Sequence, residues 1–328
     1  MTSDHDTNNE TQDKEVRQLL LATADKLFHR LSDKQTLEDT AHGEFPETLK
    51  NSLVEQGFHR LAQVDSGFVL EDAFAVLQVA GYHALPFPLA EWMLANRYVN
   101  NPDDSFATIG KLQGQSITDA PWGREASHCI AVTAEGQAIQ ASASQWQRTY
   151  NIAGEASDAA GIDGQTPIDT HDKLFQLLAL SRCALAVGAM TRLLELVIEQ
   201  VTLREQFGRP LARFQVIQHD IAAMAGEVAA ASKALEGGTI QLASEREEDE
   251  IAVACARVFE ATRSTSEMAH QLFGAMGFTQ EHTLHHFTRR LWAWREDYGN
   301  ERYWQEVLGR NICSRGSQNL WPFIATNR

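Results

Sequence analysis

Residues 201–228, VTLREQFGRPLARFQVIQHDIAAMAGEV, break one apolar-periodic run at Phe207-Gly208-Arg209-Pro210 and begin another at once. Before the break, Met190, Leu194, Val197 and Val201 step by 4, 3 and 4 residues; after it, Phe214, Ile217, Ile221, Met224 and Val228 step by 3, 4, 3 and 4. Such spacing lines up apolar side chains on one face of a helix. Gly208 suits the left-handed position just past a helix end, and Pro210 bars simple continuation. Two long helices joined by a sharp turn are therefore expected here, and long paired helices dictate a bundle for the last part of the chain.

The rest of the sequence divides around that bundle. Residues 1–14, within MTSDHDTNNETQDKE, are polar and acidic and are expected to be disordered. Over 15–31, Val16, Leu19, Leu20, Leu27 and Leu31 have helical spacing. LKNSLVEQGF ends at Gly57, LEDAFAVLQVA (70–80) is stopped by Gly81, and LPFPLAEWMLANRYV (85–99) sets prolines before an apolar helix. Residues 15–102 thus read as a helical domain. From 103 to 170 the chain turns rich in Gly, Ser, Thr, Asp and Gln, and HCIAVTAEGQAIQAS (128–142) alternates on either side of Glu135-Gly136, a hairpin signal. Residues 171–328 return to helix, with a third run over 247–273 and a fourth over 281–295; SEREEDE (244–250) reads as a solvated loop between helices. No internal repeat is found. The fold class is mainly α with a small β domain.

Acidic residues outnumber basic ones 44 to 28, for a net charge of −16, and no basic stripe marks a nucleic-acid binder. The four cysteines, Cys129, Cys183, Cys255 and Cys313, are far apart with no CxxC pairing, and are expected to be reduced. The N-terminus lacks the basic and apolar regions of a signal peptide, and no uninterrupted apolar run reaches the ~18 residues of a membrane span. A soluble, cytoplasmic protein is expected.

Arg204 and Phe207 at the break admit two readings from the residues alone. They are a surface cation and a core aromatic at a turn, or an anion fork for a phosphate ligand with a ring stacked beside it. A second cluster, HQLFGAMGFTQEH (270–282), ends a helix with Gln271, a Gly274-x-x-Gly277 turn and Phe278. Glycine there lets a backbone approach a ligand closely. Gln215 and Gln218 either touch such a ligand or cap across the turn. His282, His285 and His286 are too few for a metal site, Trp292, Trp294 and Trp304 read as core or interface aromatics, and no metal is expected.

Together, REQFGRPLARFQVIQ and HQLFGAMGFTQEH resemble the R-x-x-F-G-x-x-x-x-x-F-Q-x-x-Q and Q-x-x-G-G-x-G-[YF]-x-x-E segments of the acyl-CoA dehydrogenases, and the likeness is strongest over 175–305. The resemblance implies an N-terminal helical domain, a reduced middle β-barrel and a C-terminal four-helix bundle. It also implies an FAD whose adenosine and pyrophosphate end is held across a subunit interface by Arg204, Phe207, Gln271, Gly274, Gly277 and Phe278; Ala275 stands where the family has a second glycine. The implied reaction is flavin-dependent α,β-dehydrogenation of an acyl-CoA thioester, with an electron-transfer flavoprotein-like acceptor. The family's catalytic carboxylate lies at one of two positions, and WREDYGNERYW aligned on Gly299 gives Tyr298 while LLALSRCALAVGAM aligned on Arg182 gives Ser181. Neither is a base for an α-proton at neutral pH, so no catalytic residue is assigned. Between 100 and 170 there is no T-E-P-x-x-G-S-D-like segment for the flavin ring. The short length and RRLWAWREDYG are similar to one subgroup, the α2β2 heterotetramers of steroid and sterol side-chain breakdown. That likeness implies a second acyl-CoA dehydrogenase-like chain that supplies the base, and a bulky acyl-CoA. The alternatives are a self-sufficient homo-oligomer using Asp297 as an off-register base, or a non-catalytic scaffold.

Overall fold

The computed structural model describes residues 3–170, 173–242, 244, 246–278 and 282–325. The chain forms two compact units, Met1–Leu174 and Phe175–Arg328.

The first unit carries helices α1 (Ser3–Leu31), α2 (Lys34–Ala41), α3 (Glu47–Glu55), α4 (Leu70–Tyr82) and α5 (Leu89–Tyr98). Helix α1 begins inside the segment expected to be disordered. Once Ala24, Leu27 and Phe28 are packed, each further residue toward the N-terminus adds a backbone bond at little nucleation cost. Gly57 takes the left-handed conformation after α3 (φ 72°), whereas Gly81 does not stop α4, which runs on to Tyr82. Phe87, Trp92 and Phe106 pack ring to ring at 5.3–5.6 Å, and the Trp92 Nε1 donates to the Ser105 carbonyl at 3.0 Å. This aromatic knot ties α5 to the start of the β region.

Strands β1 (Ala107–Gln113), β2 (Ser116–Pro121), β3 (His128–Val132), β4 (Ala138–Gln147) and β5 (Ser157–Ile168) close a barrel in the order β1-β2-β5-β4-β3. The hairpin expected at Glu135-Gly136 joins β3 to β4, with Gly136 at φ 88°. Only β1 and β3 pair in parallel; closure leaves no open edge. The interior is filled by small and branched residues, Ile117, Ala120, Cys129, Ala131, Ile139 and Ala141. Asp158 is fully buried and accepts from the Arg148 Nε at 2.6 Å and from the Arg124 backbone N–H at 2.9 Å. Gly110 has no room for a side chain: a Cβ would lie 2.5 Å from Ile117 Cγ2 and 2.9 Å from the Thr118 carbonyl. Gly110→Ala is expected to lower stability by about 2 kcal/mol through overpacking, read as a lower urea midpoint of the barrel's near-UV signal. An unchanged midpoint would mean the strands can part there freely.

The second unit carries α6 (Leu174–Leu203), two-residue strands β6 (Glu205–Gln206) and β7 (Arg209–Pro210), α7 (Gln215–Ile240), α8 (Glu247–Phe273), α9 (Leu284–Asp297), α10 (Glu301–Arg315) and α11 (Leu320–Ala325). Helix α6 is long and apolar enough to cross a membrane by length and mean composition, but Arg182 and Arg192 interrupt its apolar run and 83% of its apolar window is buried, as in a core helix. The acidic run also differs from expectation. Glu247–Glu250 form the first turn of α8, where the helix dipole favours negative charge. Asp249 is buried against Arg315 and Asn311, and Glu250 pairs with Arg246 at 2.8 Å. All four cysteines are free, and Cys183 and Cys255, though 72 residues apart, lie thiol to thiol at 3.6 Å in the core. Burial pushes the Cys255 thiol well above its usual range.

Candidate functional site

The break after α6 is a β-hairpin rather than a glycine-capped helix end. Glu205 and Gln206 pair with Pro210 and Arg209, and the two residues between them, Phe207 (φ 54°) and Gly208 (φ 77°), both have positive φ. Both central residues of a type I′ turn require that conformation, which explains Gly208. Phenylalanine pays about 1–2 kcal/mol there. Its ring is 90% exposed and meets Phe214 edge-on, with centroids 6.1 Å apart. Packing within the chain does not account for a strained conformation at an exposed aromatic. Phe207→Asn is therefore expected to stabilise the chain by about 1 kcal/mol, since Asn tolerates positive φ. The check is a higher urea midpoint; a lower one would show that the ring is part of the core.

Arg204 links this hairpin to the second cluster. Its Nη1 donates to the Phe273 carbonyl, 69 residues away, at 3.1 Å. Phe273 ends α8, and Gly274 follows at φ 62°; a Cβ on Gly274 would lie 3.6 Å from the same Nη1. The two sequence clusters thus form one cradle. The guanidinium gives one donor to a carbonyl, has no carboxylate partner among the described residues, and keeps its remaining N–H groups for an anion. Gln271 is exposed on the last turn of α8. Gly277 has a packing reason instead: a Cβ would come within 2.9 Å of both Leu284 Cδ2 and Phe273 Cβ. The Phe278 side chain lies outside the described residues. Gln218 Nε2 donates to the Ala212 carbonyl at 3.0 Å and so caps across the turn, while Gln215 is exposed. Leu203 and Val216, which flank the hairpin in sequence, are 81% and 70% exposed. A cation without an acid, a glycine that keeps the floor open and a free aromatic fit the phosphates and base of a dinucleotide. The acceptor of Arg204 was not readable in advance, because a backbone carbonyl leaves no mark in sequence.

The two positions aligned with the family's catalytic carboxylate each adjoin one member of an ion pair: Arg182 follows Ser181, and Asp297 precedes Tyr298. Ser181 on α6 is buried and donates to the Leu178 carbonyl at 2.6 Å. Tyr298, after α9, is buried with its ring 5.9 Å from Phe175 and its carbonyl accepting from Trp304 Nε1 at 3.1 Å. Arg182 lies 5.2 Å over the Tyr298 ring, and its Nε donates to Asp297 Oδ2 at 2.7 Å. Asp297 is therefore engaged by a guanidinium. Gly299 (φ 83°) closes the group; a Cβ would sit 2.5 Å from Tyr303 Cδ1.

The histidines are structural. His282 Nδ1 accepts the Leu284 N–H at 3.0 Å, His285 Nδ1 donates to the His282 carbonyl at 2.7 Å, and the rings of His285 and His286 lie 4.0 Å apart. Burial, then the neighbouring His285, holds His282 below the usual histidine range. No group of three potential metal ligands occurs among the described residues. Trp294 and Trp304 are buried, while Trp292 is partly exposed.

Residues 171–313 match the family model described as acyl-CoA dehydrogenase, C-terminal domain. Acyl-CoA dehydrogenase IpdE2 of Mycolicibacterium smegmatis is 28% identical over 239 residues, covering 69% of this chain and 73% of that protein. The structure of the ChsE4-ChsE5 complex from Mycobacterium tuberculosis superposes with a TM-score of 0.81 at 18% identity, over 92% of this chain and 98% of that one. Butyryl-CoA dehydrogenase from Megasphaera elsdenii gives a TM-score of 0.76 at 14% identity, over 90% and 98%. The matched segment carries both Arg204 with its Gly274 turn and the positions of Ser181 and Tyr298: residues 171–313 form an acyl-CoA dehydrogenase C-terminal domain, and the chain is similar to acyl-CoA dehydrogenases over most of its length.

Proposed function

We propose that this chain is the FAD-gripping, base-less subunit of a heteromeric acyl-CoA dehydrogenase. One observation carries the reading. Arg204 and Gly274 come together, while Ser181 and Tyr298, which align with the family's base positions, are buried and the nearby Asp297 is engaged by Arg182. Bound FAD supplies hydride-accepting chemistry. This chain's residues do the holding: Arg204 binds the pyrophosphate, Phe207 stacks on the adenosine end, and Gln271 and Gly274 border it. A second acyl-CoA dehydrogenase-like chain supplies the carboxylate for the α-proton. Two apolar features suit that partner. Leu203 and Val216 are exposed, and Ile217 and Ile221 on α7 are only half-buried within this chain. The substrate we propose is a bulky, steroid side-chain acyl-CoA, in keeping with the structural likeness to a steroid acyl-CoA dehydrogenase, Tcur3481-Tcur3483. The acceptor is an electron-transfer flavoprotein-like carrier.

The test is FAD content. Expressed alone, the chain should hold little flavin; co-expressed with its partner, the assembly should hold about one FAD per pair of chains. Full occupancy and acyl-CoA oxidation by the lone chain would overturn the heteromeric reading and return the base to this chain. With the assembly in hand, faster turnover of straight-chain than of polycyclic acyl-CoA thioesters would sink the substrate proposal.

A further inference from the structure

We propose that Arg209 is a second cationic contact for the phosphate-bearing, adenosine half of the cofactor, carried on the hairpin that directly follows Arg204. This rests on the reading of the Arg204 cradle as an FAD site.

The first ground is charge. The chain is net −16, and arginines of this unit typically reach a carboxylate: Arg182 at 2.7 Å, Arg257 at 2.8 Å and Arg295 at 2.9 Å. Arg204, Arg209 and Arg213 fall within ten residues of each other, and none has a carboxylate partner among the described residues. Glu205 lies in the same stretch but pairs with none of them, and three cations against one carboxylate leave a local positive excess that attracts an anion.

The second ground is geometry. The Arg209 guanidinium carbon lies 4.1 Å from the centroid of Phe214, whose ring also meets Phe207 edge-on. Stacking uses the flat face of the guanidinium and leaves its N–H edge free for a phosphate. The pairing of Arg209 with Gln206 fixes its backbone across the same two-residue ladder that presents Phe207. Arg209 is thus a pre-positioned cation beside the strained, exposed ring, and little side-chain freedom is left to lose on binding. Phosphates and a base call for cations and aromatic rings in one short stretch, as Arg204, Phe207, Arg209 and Phe214 provide; a purely apolar ligand has no use for the cations.

The experiment titrates the deflavinated assembly with FAD, following flavin fluorescence, and with ADP as competitor. Arg209→Gln is expected to weaken both ligands about tenfold and to flatten the salt dependence of binding. Arg209→Lys should recover part of the loss, since it keeps the charge without the planar fork. Phe214→Leu, which keeps the cation and removes its support, should cost a few-fold. Unchanged FAD and ADP affinity in Arg209→Gln overturns the inference. So does weakened association of the two chains by sedimentation with unchanged ligand affinity, which would assign Arg209 to the partner. Arg204→Ala separates the levels. If it weakens FAD while Arg209→Gln does not, only this inference fails; if neither does, the cradle itself has been misread.

Discussion

Arg204→Ala is expected to weaken FAD binding by the assembled enzyme about a hundredfold, enough to strip the flavin on dilution. A charge-assisted hydrogen bond contributes roughly 1.5–3 kcal/mol, and ~2.7 kcal/mol is a hundredfold in affinity. Arg204 sits at the upper end for a structural reason. Its Nη1 bond to the Phe273 carbonyl at 3.1 Å fixes the guanidinium over the Gly274 turn, so the fork is oriented before the ligand arrives. Arg204→Lys should rescue only part of the loss, since an ammonium cannot hold the carbonyl and fork a phosphate in one plane. Stability should change little, by about 1 kcal/mol, because the residue is half-buried and surrenders one bond to a carbonyl. The measurement is flavin fluorescence titration alongside urea unfolding. Undiminished FAD affinity in Arg204→Ala would remove the cradle from the cofactor site altogether.

What was legible in the sequence was what period and turn chemistry encode. The 247–273 helix matches α8 end for end, and Glu135-Gly136 joins two strands as read. The hairpin at 205–210 was read as a helix cap for a definable reason. The usual signature of a type I′ turn is Asn-Gly or Asp-Gly, and Phe207-Gly208 breaks that rule at the cost of strain. Local rules fail most often where a site is built. The acidic run misled because helix-dipole and buried-arginine partners are tertiary facts: Arg315 lies 66 residues from Asp249. The same holds for the ion pair beside Tyr298, whose members are 115 residues apart.

That pair carries the other large effect. Asp297→Asn is expected to destabilise the second unit by about 3 kcal/mol, because it removes a carboxylate held at 2.7 Å by a guanidinium that is 7% exposed. The carboxylate is 23% exposed, which keeps the loss from being larger. The aromatic ring of Tyr298, 5.2 Å from the guanidinium, compensates only in part. Replacing both members at once, as Arg182→Met with Asp297→Leu, removes the desolvated charge altogether and should recover part of the loss, so the two substitutions are non-additive in a double-mutant cycle. The same variant decides whether this chain does its own chemistry. A base removed from an active site abolishes turnover and barely moves the unfolding curve; an ion pair removed from a core moves the curve and leaves turnover to the partner's carboxylate. Asp297→Asn assembled with its partner should therefore keep its flavin and its rate at low temperature while unfolding at a lower urea concentration. Loss of turnover at an unchanged urea midpoint would instead place the base in this chain, and Arg182 would then be the residue that holds it ionised and aimed.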